Sequence, residues 1–118
     1  MLLKSFEMNP NSIFLLDSSG ISFYGNSAGK SLVNSKNENV SNKNFLDFIA
    51  EANKSDFEKF LKRVFEFSEP QKIKLIVRGI DIAPFEALLI AKPIKLSNTT
   101  DHYCSLAVID LTGLGITE

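Results

Sequence analysis

Apolar and polar positions follow two different periods along this chain, and the change of period divides it. Ile13-Phe14-Leu15-Leu16 is an unbroken apolar run of strand length. Asp17-Ser18-Ser19-Gly20 follows. Asp and Ser bond nearby backbone and Gly supplies positive φ, so this segment predicts a turn. Ile21-Ser22-Phe23-Tyr24-Gly25 then alternates, which predicts Ile21 and Phe23 on one face and Ser22 and Tyr24 on the other. Two such runs around a short turn predict a tight hairpin. Asn26 next sits where a helix N-cap belongs, with an oxygen able to accept a free backbone N–H. A short helix is predicted from Ser27 to Val33. Upstream, Leu2, Leu3 and Phe6 mark an apolar face of a short N-terminal helix. Asn9-Pro10 ends it, because the residue before proline avoids the helical region.

Residues 35–43 are polar and predict a loop. Residues 45–49 predict a compact apolar turn of helix with Asn44 as its cap. The period then becomes helical: Phe57, Phe60, Leu61, Val64 and Phe65 form one stripe. Ser55 and Glu58 have capping-box spacing, which predicts the helix start at Ser55. Asp56 and Glu58 near that end, and Lys62 and Arg63 towards the other, suit the helix dipole. Glu69-Pro70 ends the helix. Period 2 returns in residues 71–78, where Ile73, Leu75 and Val77 oppose Lys72, Lys74, Ile76 and Arg78. Residues 79–84 predict a loop, 85–96 a long strand, 97–101 a polar turn and 103–111 a last strand. The last two strands are apolar on both faces, so both sides of the sheet are covered. The central helices cover one side. The N-terminal helix, a further C-terminal segment or a partner subunit is expected on the other.

At 118 residues the chain predicts one domain over 1–118, large enough for a core without metal or disulfide staples. A formal net charge of −1 gives no broad attraction for nucleic acid or an anionic membrane. One cysteine excludes an internal disulfide and most protein-only structural zinc sites. The first six residues are too short for a signal peptide and Lys4 interrupts them. No run approaches the roughly 20 apolar residues that cross a bilayer. A cytoplasmic domain is expected, in which the Asn-x-Ser/Thr triplets at Asn39, Asn53 and Asn98 carry no meaning.

The order of elements and four local motifs resemble the PAS domains, sensory modules of signalling proteins. Asp17-Ser18-Ser19-Gly20 is similar to that family's first hairpin turn, and Asn26-Ser27-Ala28 to its Asn-x-Ala start of the third element. Residues 45–49 are similar to its Phe-hydrophobic helix. Asp110-Leu111-Thr112 is similar to the Asp-Ile/Leu-Thr motif that closes the domain. The resemblance covers a core of about residues 9–112, with 1–8 as an N-terminal helix or cap and 113–118 as a C-terminal connector. It implies an α+β fold: a five-stranded antiparallel sheet in order 2-1-5-4-3, with short helices and one longer helix over one face. It also implies a sensing and dimerising input domain, joined to a histidine kinase, nucleotide cyclase or transcription regulator. The homodimer is expected through the outer sheet face or the N-terminal helix. Asp110 and Thr112 are expected to couple signal to output. A ligand-free protein–protein association domain is the alternative.

Chemistry is sparse. Gly29-Lys30-Ser31 copies the end of a phosphate-binding loop, but Tyr24 stands where that loop needs glycine. A packed short helix is the better reading. His102 is the single histidine and lies beside a polar turn, whereas a haem pocket wants one on the long helix. Flavin-reactive relatives carry Asn-Cys-Arg before the long helix, and residues 44–50 have neither cysteine nor arginine. Haem and flavin are therefore not expected, nor is any other cofactor or metal. Cys104 reads as a small buried hydrophobe. No His–carboxylate or Cys–His arrangement activates a nucleophile, so no catalytic residue and no enzyme is expected. Phe48, Phe57, Phe60, Leu61, Val64, Leu75 and Val77 are the candidate lining of a cavity between helix and sheet. A filled core is the competing reading, because interiors pack to crystal density. A ligand there would be mostly apolar.

Overall fold

The hairpin forms around its own turn residues. In the computed structural model, which describes residues 7–34, 42–95 and 101–112, β1 (Ser12–Asp17) and β2 (Ile21–Gly25) pair antiparallel. Asp17 Oδ1 accepts from the N–H groups of Ser19 at 2.9 Å and Ile21 at 3.0 Å. Gly20 takes φ +84°, a region open to glycine at little cost. The expected alternation fails inside β2. Leu15 pairs with Tyr24 but Leu16 pairs with Ser22, so a β-bulge falls between them. Leu15 and Leu16 face opposite ways, so their partners Tyr24 and Ser22 do too.

The sheet has six strands rather than five. After α1 (Ser27–Leu32), the pair Lys43–Asn44 forms β3 against Ser22 and Ile21. β4 (Gln71–Val77), β5 (Phe85–Ile94) and β6 (Tyr103–Asp110) complete the antiparallel order β3-β2-β1-β6-β5-β4. Leaving out β3, this is the expected order. Lys43 leaves the expected loop for a strand that the pattern does not predict, since two polar residues carry no alternation. Main-chain bonds hold them instead, with the Asn42 N–H on the Ser22 carbonyl at 2.7 Å and the Phe45 N–H on the Gly20 carbonyl at 2.9 Å.

The long helix, α2 (Lys54–Phe67), begins without the expected capping box. A 3-10 turn, Glu51–Asn53, runs directly into it. The Asn53 N–H already binds the Ala50 carbonyl, and the Lys54 N–H binds that of Glu51. Ser55 is therefore an exposed residue within the helix rather than its cap. At the other end Ser68 adopts φ +52° and closes on the Val64 carbonyl at 3.0 Å. The 3-10 helix Phe45–Phe48 forms as expected, with the Asn44 side chain accepting from the Leu46 N–H.

Residues 48–53 also cover part of the β4 edge. Ile49 bridges Val77, the Ala50 N–H binds the Ile76 carbonyl, and the Arg78 N–H binds the Phe48 carbonyl. Asn53 Oδ1 takes the Ile76 N–H at 2.9 Å. Backbone groups that would invite another strand are thereby satisfied. The inner face of the sheet packs Phe14, Leu16, Leu75, Val77, Leu89, Leu106 and Val108 beneath α2 in one buried cluster. Across the outer face Ile13, Ala107 and Ile90 align, as do Ile109 and Leu88, bordered by Lys72 and Lys74. The expected helix over Leu2, Leu3 and Phe6 and the 113–118 connector lie outside the described residues. Glu7 and Met8 are helical.

Candidate ligand and coupling sites

Three elements bring the seven candidate lining residues together. α2 supplies Phe57, Phe60, Leu61 and Val64, the 3-10 helix supplies Phe48, and β4 supplies Leu75 and Val77. All belong to the same buried cluster, and none is more than 6% exposed. Its hub is Phe45, which sequence reasoning placed in the helical turn but not in the lining. The Phe45 ring lies 5.0 Å from Phe14, 5.5 Å from Phe48 and 5.7 Å from Phe57, and Phe57 lies 6.0 Å from Phe60. These separations are those of packed aromatic pairs. A four-residue 3-10 turn has no periodicity to mark one of its aromatics as a hub.

Among the described residues, α2 borders two surface grooves. One, of about 510 Å³, runs between the β1–β2 turn and α2, lined by Ser18, Ser19, Glu58, Leu61, Lys62, Phe65 and Glu66. The other, of about 380 Å³, lies where the end of α2 meets β5 and β6, and includes Phe65, Pro93, His102 and Tyr103. His102 is exposed, with its ring edge-on to Phe65 at 6.5 Å.

Asn26 caps α1 as expected and does more. Fully buried, its Oδ1 accepts from the Gly29 N–H at 2.8 Å and the Ile13 N–H at 2.9 Å. Its Nδ2 donates to the Asn11 carbonyl at 2.9 Å. The Gly29 N–H is thus committed to Asn26. A Cβ at Gly29 would stand 3.1 Å from Asn26 Oδ1, the Ile13 carbonyl and the Phe14 ring. Gly29-Lys30-Ser31 is a close-packed helix rather than a phosphate cradle. Cys104 is fully buried, and burial, aided by the Asp17 carboxylate, pushes its thiol up to about 12. It stays protonated at neutral pH, as a small core residue.

At the end of β6, Asp110 Oδ1 accepts from the Thr112 N–H at 2.9 Å and the Thr112 hydroxyl at 2.6 Å. The Leu111 N–H binds the Glu86 carbonyl of β5 at 3.0 Å. The two proposed coupling residues therefore form one turn, fastened to the sheet beside it. Among the described residues, no group of three His, Cys, Asp or Glu side chains is placed to hold a metal ion, and no helix is long and apolar enough to cross a membrane.

Solved structures share this fold. The PAS domain of an HTR-like protein from Haloarcula marismortui superposes with a TM-score of 0.76 at 17% identity, covering 93% of this chain and 88% of that one. A PAS domain from a two-component sensor histidine kinase gives 0.72 at 13% identity, with 91% and 90% covered. The PAS domain of nitrogen regulation protein NR(II) from Vibrio parahaemolyticus gives 0.72 at 10% identity, with 94% and 98% covered. No curated protein sequence matches. The family model of the PAS fold matches residues 5–111. With nearly its whole length inside that match, the chain belongs to the PAS family, a family of sensory and regulatory modules rather than catalytic ones.

Proposed function

We propose that the chain is a signal-sensing and dimerising input domain of a multidomain, cytoplasmic signalling protein. The observation that carries this reading is the course of β6. It is bonded on both sides, to β1 and β5. Cys104, Leu106 and Val108 on it face the buried cluster, and it ends in the Asp110–Thr112 turn. A change in what the core holds would alter the set of the central strand and reach that turn, as a shift between two populations. The ligand would be small and mostly apolar, held against Phe48, Phe57, Phe60, Leu61, Val64, Leu75 and Val77. The output domain, of the kinase, cyclase or transcription-regulator kind, would receive the signal through Asp110 and Thr112. A homodimer would form through the outer sheet face, where Leu88, Ile90, Ala107 and Ile109 are only half-buried.

The ring contacts around Phe45 favour a second reading, a ligand-free association domain whose core is already filled. Native mass spectrometry against the denatured mass separates the two. An adduct that leaves on denaturation supports the sensor, and a dimer at the bare chain mass supports the association domain. In a full-length parent, Asp110→Ala is expected to uncouple regulation while the fold persists. Unchanged regulation in that variant would defeat the coupling role.

A further inference from the structure

Residues 7–11 are fastened to the rest of the domain at two points of different chemistry. One is buried and does not titrate: Asn26 Nδ2 donates to the carbonyls of Asn11 at 2.9 Å and Asn9 at 3.4 Å. The other is exposed and ionic. The Glu7 carboxylate accepts from the Tyr24 hydroxyl at 2.6 Å and the Ser27 N–H at 3.2 Å, and it also takes the Ser27 hydroxyl in a short contact. Between the two points Met8 is 75% exposed, so it adds little packing. Pro10 fixes φ at the pivot and keeps Asn9 out of the helical region.

We infer that Glu7 is a releasable latch, seating residues 7–8 on the corner between β2 and α1, with residues 9–11 as its pivot. The contact joins residues 17 and 20 positions apart, so it reports tertiary seating rather than local structure. The groups facing the carboxylate are Tyr24 on β2 and Ser27 and Lys30 on α1. The Ser27 hydroxyl, then that of Tyr24, with the Lys30 charge adding a little, holds the Glu7 carboxyl below its ordinary value of 4.5. Burial first, then Glu7, pushes Tyr24 up to about 12. At neutral pH the pair is a charged acceptor facing a protonated donor. Because the seated value is depressed, the carboxylate's contribution to seating is fully present above 4.5 and is lost as pH falls through the lower seated value. A partner that competes for the Glu7 carboxylate, or for Tyr24 and Ser27, would open the latch at neutral pH. The latch stands whether or not the core takes a ligand.

NMR on the whole chain tests this. In the native protein the Ser27 amide proton is expected to shift in step with the Glu7 carboxyl carbon, with a midpoint below 4.5. In Glu7→Ala that titration is expected to vanish, and the heteronuclear NOE of Met8 to fall. The amides of Ile13 and Gly29, held by Asn26, are expected to keep their positions and so report an intact fold. A Ser27 amide indifferent to pH in the native chain, or a Met8 as ordered in Glu7→Ala as in the native chain, would overturn the latch. The native titration stands alone should the variant fail to fold.

Discussion

Leu88 and Leu89 are neighbours on β5, and they live in different surroundings. Leu89 points into the cluster beneath α2 and is fully buried. Leu88 points to the outer face, between Lys74 and Ile109, and stays half-buried. The same contrast runs along the sheet. Leu75 and Val77 are closed in, while Lys72 and Lys74 are exposed and Ile76 is half-buried. The pleat alone produces this separation. It buries one face of the sheet under α2 and leaves the other half-open, so substitutions on the two faces should differ in size, and in kind if the outer face associates as proposed.

The largest loss is expected at the hub of the inner face. Phe45→Ala removes a ring with three aromatic neighbours, and urea unfolding should show a loss of about 3–5 kcal/mol. Leu89→Ala should follow with about 2–5 kcal/mol. Asn26→Ala strands the buried N–H groups of Ile13 and Gly29. At about 1–3 kcal/mol for a buried group left unpaired, its cost should approach that of a core leucine. Leu88→Ala should cost about 1 kcal/mol, since only part of the side chain leaves water. Equal losses at Leu88 and Leu89 would erase the contrast between the faces. The smallest effect is acid-dependent. Glu7 contributes stability above 4.5 that fades as pH falls through its depressed value, so the native chain should lose a small increment there that Glu7→Ala lacks.

Much of this was legible in the residues. The turn at Asp17–Gly20, the cap at Asn26 and the buried stripe of α2 each rest on local chemistry, which a sequence displays directly. The features that escaped depend on distant chain. β3 is two polar residues held by the hairpin. The β2 bulge is set by how β1 meets it. The capping box at Ser55 was displaced by a preceding 3-10 turn, itself tied to β4 through Ala50 and Asn53. Phe57, Phe60, Leu61 and Val64 share the buried face of α2 that their spacing implied, whereas the central role of Phe45 needed the fold, because one aromatic in a short turn has no period to announce it. The Glu7 contact with Tyr24 and Ser27 was invisible for a similar reason, since it spans 17 to 20 positions between exposed residues.

The proposal that the outer face is an association surface is tested most directly by sedimentation equilibrium of the native chain beside Ile90→Glu. The expected result is a native dimer that becomes a monomer in the variant, which still folds and unfolds cooperatively in urea because Ile90 lies outside the inner core. A native chain that stays strictly monomeric at high concentration, or a variant dimer as tight as the native one, would contradict it.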